Sequence, residues 1–273
     1  MSGMGASNLT INTMSKMFAA GKRFDGRKLT EMRDFKVEFD VSNKAEGSAR
    51  VILGKTEVVV GVKMEVGEPY PDSLDKGNLM VSGDLLPMAS PRFESGPPKF
   101  NAIELPRLID RMVRESHCID LKKLVIEEGK KVWMVIIDIY PINDDGNLID
   151  AASIATMAAL MNAHIPNLNS DGRIDHETKG SKKLPFVEGV LPLSFTFFKL
   201  GDSLIVDPTR EEEETCEGKV VWGISNWKGK EHMIHSCQKG LEEAMSHAEI
   251  SVMMKHLPGL YDDTFKKLKK FVK

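Results

Sequence analysis

The stretch NDDGNLIDAASIATMAALMNA, residues 143–163, decides the fold. Its first half reads as a turn, because Asp, Gly and Asn favour tight backbone conformations. Its second half reads as a helix packed on one side. Small residues at Ala151, Ala152, Ala155, Ala158 and Ala159 let a sheet approach that helix closely. Immediately upstream, KKVWMVIIDIYPI (130–142) is a largely apolar run that reads as a strand buried on both faces. A helix N-terminus is a natural anion site, since unpaired N–H groups and the positive dipole end meet there. This entrance instead carries Asp144, Asp145 and Asp150, and no Arg, Lys, Ser or Thr lies among them.

Working outward, the first half of the chain is rich in strand signals. FKVEFDV (35–41), SARVILG (48–54) and TEVVVGVKMEV (56–66) are β-branched, alternate in part and are bounded by Asn, Gly and Lys. Pro and Gly density forbids regular structure across Ser90 to Lys99. Asn101 to Cys118 reads as a helix. Asn101 with Glu104 has the form of a capping box, although Pro106 points to a start nearer Glu104. His164 to Lys183 is polar and reads as a linker. Strands are then expected at 191–200, 203–206, 219–225 and 231–236, a helix from about Gln238 to Leu257, and a charged amphipathic tail. Strands followed by a helix, twice, predict an α+β chain of two related lobes. The divisions are an N-terminal arm (1–22), lobe 1 (23–166), a linker (167–185) and lobe 2 with its helical tail (186–273).

Bulk properties narrow the class. The chain has 273 residues, 41% hydrophobic and 28% charged, with a formal net charge of −3. No apolar run is long enough to span a bilayer, and the N-terminus lacks a charged-then-apolar export signal. Cys118, Cys216 and Cys237 are scattered and odd in number, which points to reduced thiols in the cytoplasm. A free-standing nucleic-acid binder is usually basic. Contact with RNA therefore requires a local patch, or a partner that supplies further positive charge.

One such patch is visible. Arg107, Arg111 and Arg114 are spaced i, i+4, i+7 and form one helical stripe, opposite the apolar set Leu105, Leu108, Ile109, Met112 and Val113. The stripe is either a solvated face, with Asp110 and Glu115 as pairing partners, or a phosphate-binding surface. Its all-Arg composition suits planar, bidentate phosphate contact. At the opening turn, Gly146-Asn147-Leu148 offers no hydroxyl or cation for an orthophosphate. A turn with an N-cap at Asp150 explains those residues as well. Asp144, Asp145 and Asp150 are hard oxygen donors, but no calcium-loop spacing accompanies them. In HMIHSC (232–237), strand alternation puts His232 opposite His235 and Cys237, which argues against a closed metal site. The acidic run Glu211 to Glu214 reads as a solvated loop or helix start. No Walker loop, dinucleotide fingerprint, nucleophile elbow or zinc motif is present. No cofactor and no metal are expected.

RFDGRK (23–28), KAEGSARVILGKTEVVVGVKMEVGEPYPD (44–72), SPRFESGPP (90–98), NAIELPRLIDRMVRESHCIDLKKLVI (101–126) and DDGNLIDAASIATMAALMNAHIP (144–166) together resemble the ribonuclease PH superfamily. Within it they look most like the non-catalytic ring subunits of archaeal exosomes. The resemblance implies two ribonuclease PH-type lobes, the first like domain 2 of ribosomal protein S5. It also implies a defect. Active members carry Gly-Ser-Arg or Gly-Thr-Arg at the turn that binds orthophosphate, where this chain has Gly146, Asn147 and Leu148. They also place an Asp at the start of a second-lobe strand, where this chain has Val190 or Leu191. An aliphatic side chain cannot do acid/base or metal duty.

The expectation is therefore a non-catalytic subunit of a 3′-to-5′ phosphorolytic exoribonuclease. It would alternate with a catalytic paralogue in a six-membered ring of three heterodimers, beneath RNA-binding cap subunits. By position in the family's helix, Arg107 and Arg111, and less directly Arg114, would hold the single-stranded 3′ end. One alternative is an active phosphorolytic exoribonuclease, which needs a substitute cation at the Gly146 turn; Lys179, Lys182 and Lys183 are the candidates by sequence. Another is a small-molecule kinase sharing the S5-like lobe, which lacks its Gly/Ser-rich loop here.

Overall fold

Alternating β-branched residues build the first sheet, and a helix buried on all sides joins it to the second. The structure, a computed structural model, describes residues 6–169, 173–175, 180–227 and 231–271. Helix α1 (Asn8–Ala19) is capped by Ser7, whose hydroxyl accepts from the Thr10 N–H. Strands β1 (Phe35–Phe39), β2 (Gly47–Leu53), β3 (Thr56–Gly67) and β4 (Asn78–Gly83) precede helix α2 (Phe100–Ser116). After β5 (Val125–Glu127) come the long strand β6 (Lys131–Asn143) and helix α3 (Leu148–Asn162). The first sheet has the order β1-β2-β3-β6-β4, with β5 also paired to β6. Only β4 runs parallel to its neighbour.

The short pair β7 (His164–Ile165) and β8 (Lys182–Lys183) brackets the polar segment read as a linker. The second sheet combines β9 (Leu193–Leu200), β10 (Ser203–Val206), β11 (Gly218–Trp227) and β12 (Glu231–Leu241) in the order β10-β9-β11-β12. A four-residue helix α4 (Arg210–Glu213) lies between β10 and β11, and α5 (His247–Lys269) closes the chain.

Every residue of α3 from Ile149 to Leu160 is buried. The helix packs against β2 and β3 on one side and β9 on the other. The one-sided packing expected from sequence is corrected, and the reason is that two sheets share this helix. Its alanines permit the approach. At Gly47 on β2, a Cβ would fall 2.5 Å from the Ala159 carbonyl oxygen and 2.6 Å from the Ala163 Cα. On β9, Ser194 and Thr196 bond α3, while Phe198 and Leu200 meet Met14 and Phe18 of α1. Lys199, on the opposite side, reaches Glu249 of α5 at 2.9 Å.

Other expectations also change. β6 alternates rather than being buried on both faces: Val135, Ile137 and Ile139 point into the core, and Tyr140 is exposed. Helix α2 starts at Phe100 with Lys99 as its N-cap and no side-chain capping bond, so the Asn101–Glu104 box does not form. Glu104 pairs with Lys219 instead, at 2.7 Å. The helix expected from Gln238 begins at His247, because β12 stays paired to β11 as far as Leu241. Ser246 and Glu249 form a true capping box there, and one helix runs on through what had read as a tail.

Candidate nucleic-acid interface

The turn between β6 and α3 is tightly determined. Gly146 has φ +86°, and a Cβ on it would lie 2.6 Å from the Arg210 nitrogen and the Pro208 oxygen, so only glycine fits. Asn147 is the N-cap of α3, in the left-handed conformation at φ 56°; the cap is not Asp150. Its backbone N–H, at the mouth of the helix, donates to Glu213 Oε2 at 2.8 Å. Its Nδ2 donates to Asp150 Oδ2 at 3.0 Å and to Asp207 Oδ1 at 2.8 Å. A carboxylate of this chain thus occupies the anion position at the start of α3.

The surrounding charges complete a closed network. Arg33 donates to the carbonyls of Asp145 and Gly146, each at 3.0 Å, and binds Asp207 through Nη2 at 2.8 Å. Arg92 pairs with Asp144 and lies 3.6 Å from Glu214. Arg23 is buried, pairs with Glu212 and donates to the carbonyls of Val206 and Asp207, each at 2.9 Å. The run Glu211–Glu214 is therefore turned inward from Glu212 onward, not solvated. Beside this network lies a cavity of about 270 Å³ lined by Arg92, Glu104, Leu148, Glu213, Glu214 and Lys219. Both cations there already face carboxylates.

Titration follows from this burial. Asp150 is wholly buried, which pushes its carboxyl up to about 7 against the bonds from Asn147 and Thr196 that favour the anion. Burial also raises Glu213, and the Asn147 N–H and the Arg92 charge offset only part of that rise. Asp207 is held below the usual carboxylate range: burial opposes this, but the Arg33 hydrogen bond and charge prevail.

The Arg stripe lies on the outer face of α2, where Arg107, Arg111 and Arg114 are all exposed. Arg114 is engaged. Its Nε and Nη2 bind the Asp110 carboxylate at 3.0 and 2.7 Å, and Nη2 also donates to the Leu79 carbonyl at 2.9 Å. Arg107 and Arg111 make no ion pair with any described residue. Leu105, Leu108, Ile109, Met112 and Val113 are buried on the opposite side, and Glu115 stands exposed one turn past Arg111.

Comparison with known proteins adds the family. Domain 1 of the 3′ exoribonuclease family (RNase_PH) matches residues 31–166, and its domain 2 matches residues 191–256. The chain belongs to this family. The exosome complex component Rrp42 of Methanothermobacter thermautotrophicus is 40% identical over 259 residues, covering 93% of each chain. That of Archaeoglobus fulgidus is 51% identical over 191 residues, covering 70% of this chain and 71% of its own. Among solved structures, a chain of the Archaeoglobus fulgidus exosome with RNA bound to the active site is similar at a TM-score of 0.84 and 38% identity, covering 97% of this chain and 98% of its own. A chain of an archaeal exosome core matches at a TM-score of 0.83 and 36% identity, covering 96% of this chain and 97% of its own.

Of the positions singled out from sequence, Gly146, Asn147 and Leu148 form the turn into α3, and Val190 and Leu191 lie just ahead of β9. Val190 is fully buried in the core, and the Leu191 carbonyl accepts from Tyr261 Oη at 2.8 Å. Among the described residues, Arg33 reaches the Gly146 turn through the Asp145 and Gly146 carbonyls and Arg92 through Asp144. Lys182 and Lys183 are exposed on β8, and Lys179 lies outside the described residues. Arg33, Arg92, Asp207 and Glu213 escaped the sequence reading because they come from four separate segments. Local spacing carries no signal for such a network. In the HMIHSC segment, a β-bulge at His235 brings its Nε2 to 2.6 Å from Ser225 Oγ, and His232 Nε2 lies 3.0 Å from Asp262 Oδ1. Among the described residues no group of three or more His, Cys, Asp or Glu could hold a metal ion.

Proposed function

We propose that this chain is a non-catalytic, RNA-gripping subunit of an archaeal-type exosome ring. It alternates with a catalytic paralogue and works in the cytoplasm on single-stranded 3′ ends. The observation that carries the reading is Glu213 Oε2 on the Asn147 N–H. Phosphorolysis needs a free orthophosphate held by N–H groups and a cation or hydroxyl. Here the N–H serves an internal carboxylate, and Leu148 and the buried Val190 stand where polar groups are needed. The similarity to the Rrp42 components of two archaea supports membership of such a ring. In this assembly the lobes are 23–166 and 186–273, with the arm at 1–22 and the linker at 167–185.

Arg107 and Arg111 are then the working residues. Both are exposed, and no described carboxylate pairs with them. They hold backbone phosphates of the RNA without reading its sequence and present the 3′ end to the neighbour's active site. Arg114 shapes the helix surface through Asp110 and is a secondary contact. The test supplies RNA and orthophosphate to the purified chain and to its complex with the catalytic paralogue. The chain alone is expected to be inactive and the complex active. Phosphate-dependent degradation by the chain alone would overturn the reading.

A further inference from the structure

Beyond the Arg stripe, the first turn of α2 exposes an aromatic ring. Phe100 is 74% exposed and Ile103 is 50% exposed. At about 100° per residue, positions 100, 103, 107 and 111 fall on one face, so these apolar groups continue the line of Arg107 and Arg111. Phe100 lies roughly 10 Å along the helix axis from Arg107. Phe100, Ile103 and Arg107 form one wall of a groove of about 260 Å³, and Gln238, Lys239 and Gly240 of β12 form the other.

The groove is positive as well as apolar. Glu104, its one carboxylate, is neutralised by Lys219 at 2.7 Å. Lys239 Nζ donates to the Leu241 carbonyl at 2.5 Å and meets no described carboxylate. A solvent-exposed aromatic ring beside unpaired cations is the arrangement by which proteins hold single strands without sequence preference: the ring stacks a base and the cations hold the backbone. A protein-binding groove needs apolar floor but has no need of the unpaired cations along it.

We infer that Phe100 is a stacking platform for one nucleobase of the strand whose phosphates Arg107 and Arg111 hold, with Lys239 facing the backbone from the opposite wall. This rests on the RNA-gripping reading above and adds a residue that touches a base.

The experiment measures binding of a single-stranded RNA oligonucleotide to the assembled complex without orthophosphate. It compares the parent with Phe100→Ala, Phe100→Leu, Phe100→Trp and Arg107→Glu/Arg111→Glu. Phe100→Ala is expected to weaken binding roughly 5- to 100-fold. Phe100→Leu should match the Ala variant, and Phe100→Trp should bind like the parent. The salt dependence of binding should be unchanged by Phe100→Ala, because stacking releases no counterions. An abasic oligonucleotide should bind the parent and Phe100→Ala complexes equally. If the Arg variant loses affinity while Phe100→Ala does not, the stacking role falls and the Arg reading stands. If Phe100→Ala breaks the complex, or Phe100→Leu restores affinity, Phe100 is a subunit contact and the inference is overturned.

Discussion

Replacing Arg107 and Arg111 together by Glu should abolish most RNA binding by the assembled complex while leaving its assembly intact. The structure sets the scale. Each guanidinium is free of described partners, so each can contribute a charge-assisted contact of ~1.5–3 kcal/mol. Loss of both amounts to ~3–6 kcal/mol, or roughly 10²- to 10⁴-fold in Kd, and the introduced carboxylates add repulsion. Removing two phosphate contacts should also flatten the salt dependence, by ~0.7 in log–log slope for each contact on a single strand. Folding should be spared, because both positions are exposed and Glu is a good helix former. Arg114→Ala is the internal control. Its side chain already serves Asp110 and the Leu79 carbonyl, so RNA affinity should change little. Fluorescence anisotropy of a labelled oligonucleotide across a salt series reads both quantities, and size-exclusion chromatography reads assembly. An intact complex with unchanged Kd and slope in the Arg107→Glu/Arg111→Glu variant would return the stripe to a solvated face.

The buried turn makes two further predictions. Asp150 in the unfolded chain releases its proton near 3.8 but in the folded chain near 7. Between those values the folded state holds a proton that the unfolded state has lost, so this group's contribution to stability falls as pH rises from about 4 to about 7. Asp150→Asn retains partners for Thr196 and Asn147 and should remove that component, seen as a growing advantage over the parent in urea unfolding as pH rises; a pH-independent difference refutes it. Gly47→Ala should lower Tm and cost about 1–3 kcal/mol or more through overpacking, since its Cβ meets the backbone of α3 at Ala159 and of its C-cap at Ala163; an unchanged Tm would show that β2 and α3 are not in close contact.

Particular segments show why some of this was legible in the sequence and some was not. The runs that became β1 to β3 combine β-branched residues with turn formers at their ends, so local pattern and tertiary role agree. The strand β4 (Asn78–Gly83) leaves no local mark in the sequence: it is short, follows a long loop, and is held by parallel pairing to β6. In the segment 238–246, expected to be helical, Gln, Leu, Glu, Ala and Met favour a helix, but pairing with β11 outweighs that weak preference as far as Leu241. The Ser246–Glu249 capping box was the available signal for the true start. At the site, the absence of phosphate-binding groups at 146–148 is a local property and could be read directly. What fills the gap could not: Glu213 lies 66 positions from Asn147, and an acidic run on its own most often means a solvated surface.

On the proposed reading, this chain has no working phosphorolytic site of its own. The most direct measurement places it in the assembled ring with the paralogue's active site inactivated by substitution. RNA and orthophosphate are then supplied, and release of nucleoside diphosphates is followed. No phosphate-dependent release above background is expected, with RNA still bound. Sustained release from that complex would contradict that reading, because the only intact site left would be the one that Glu213 occupies.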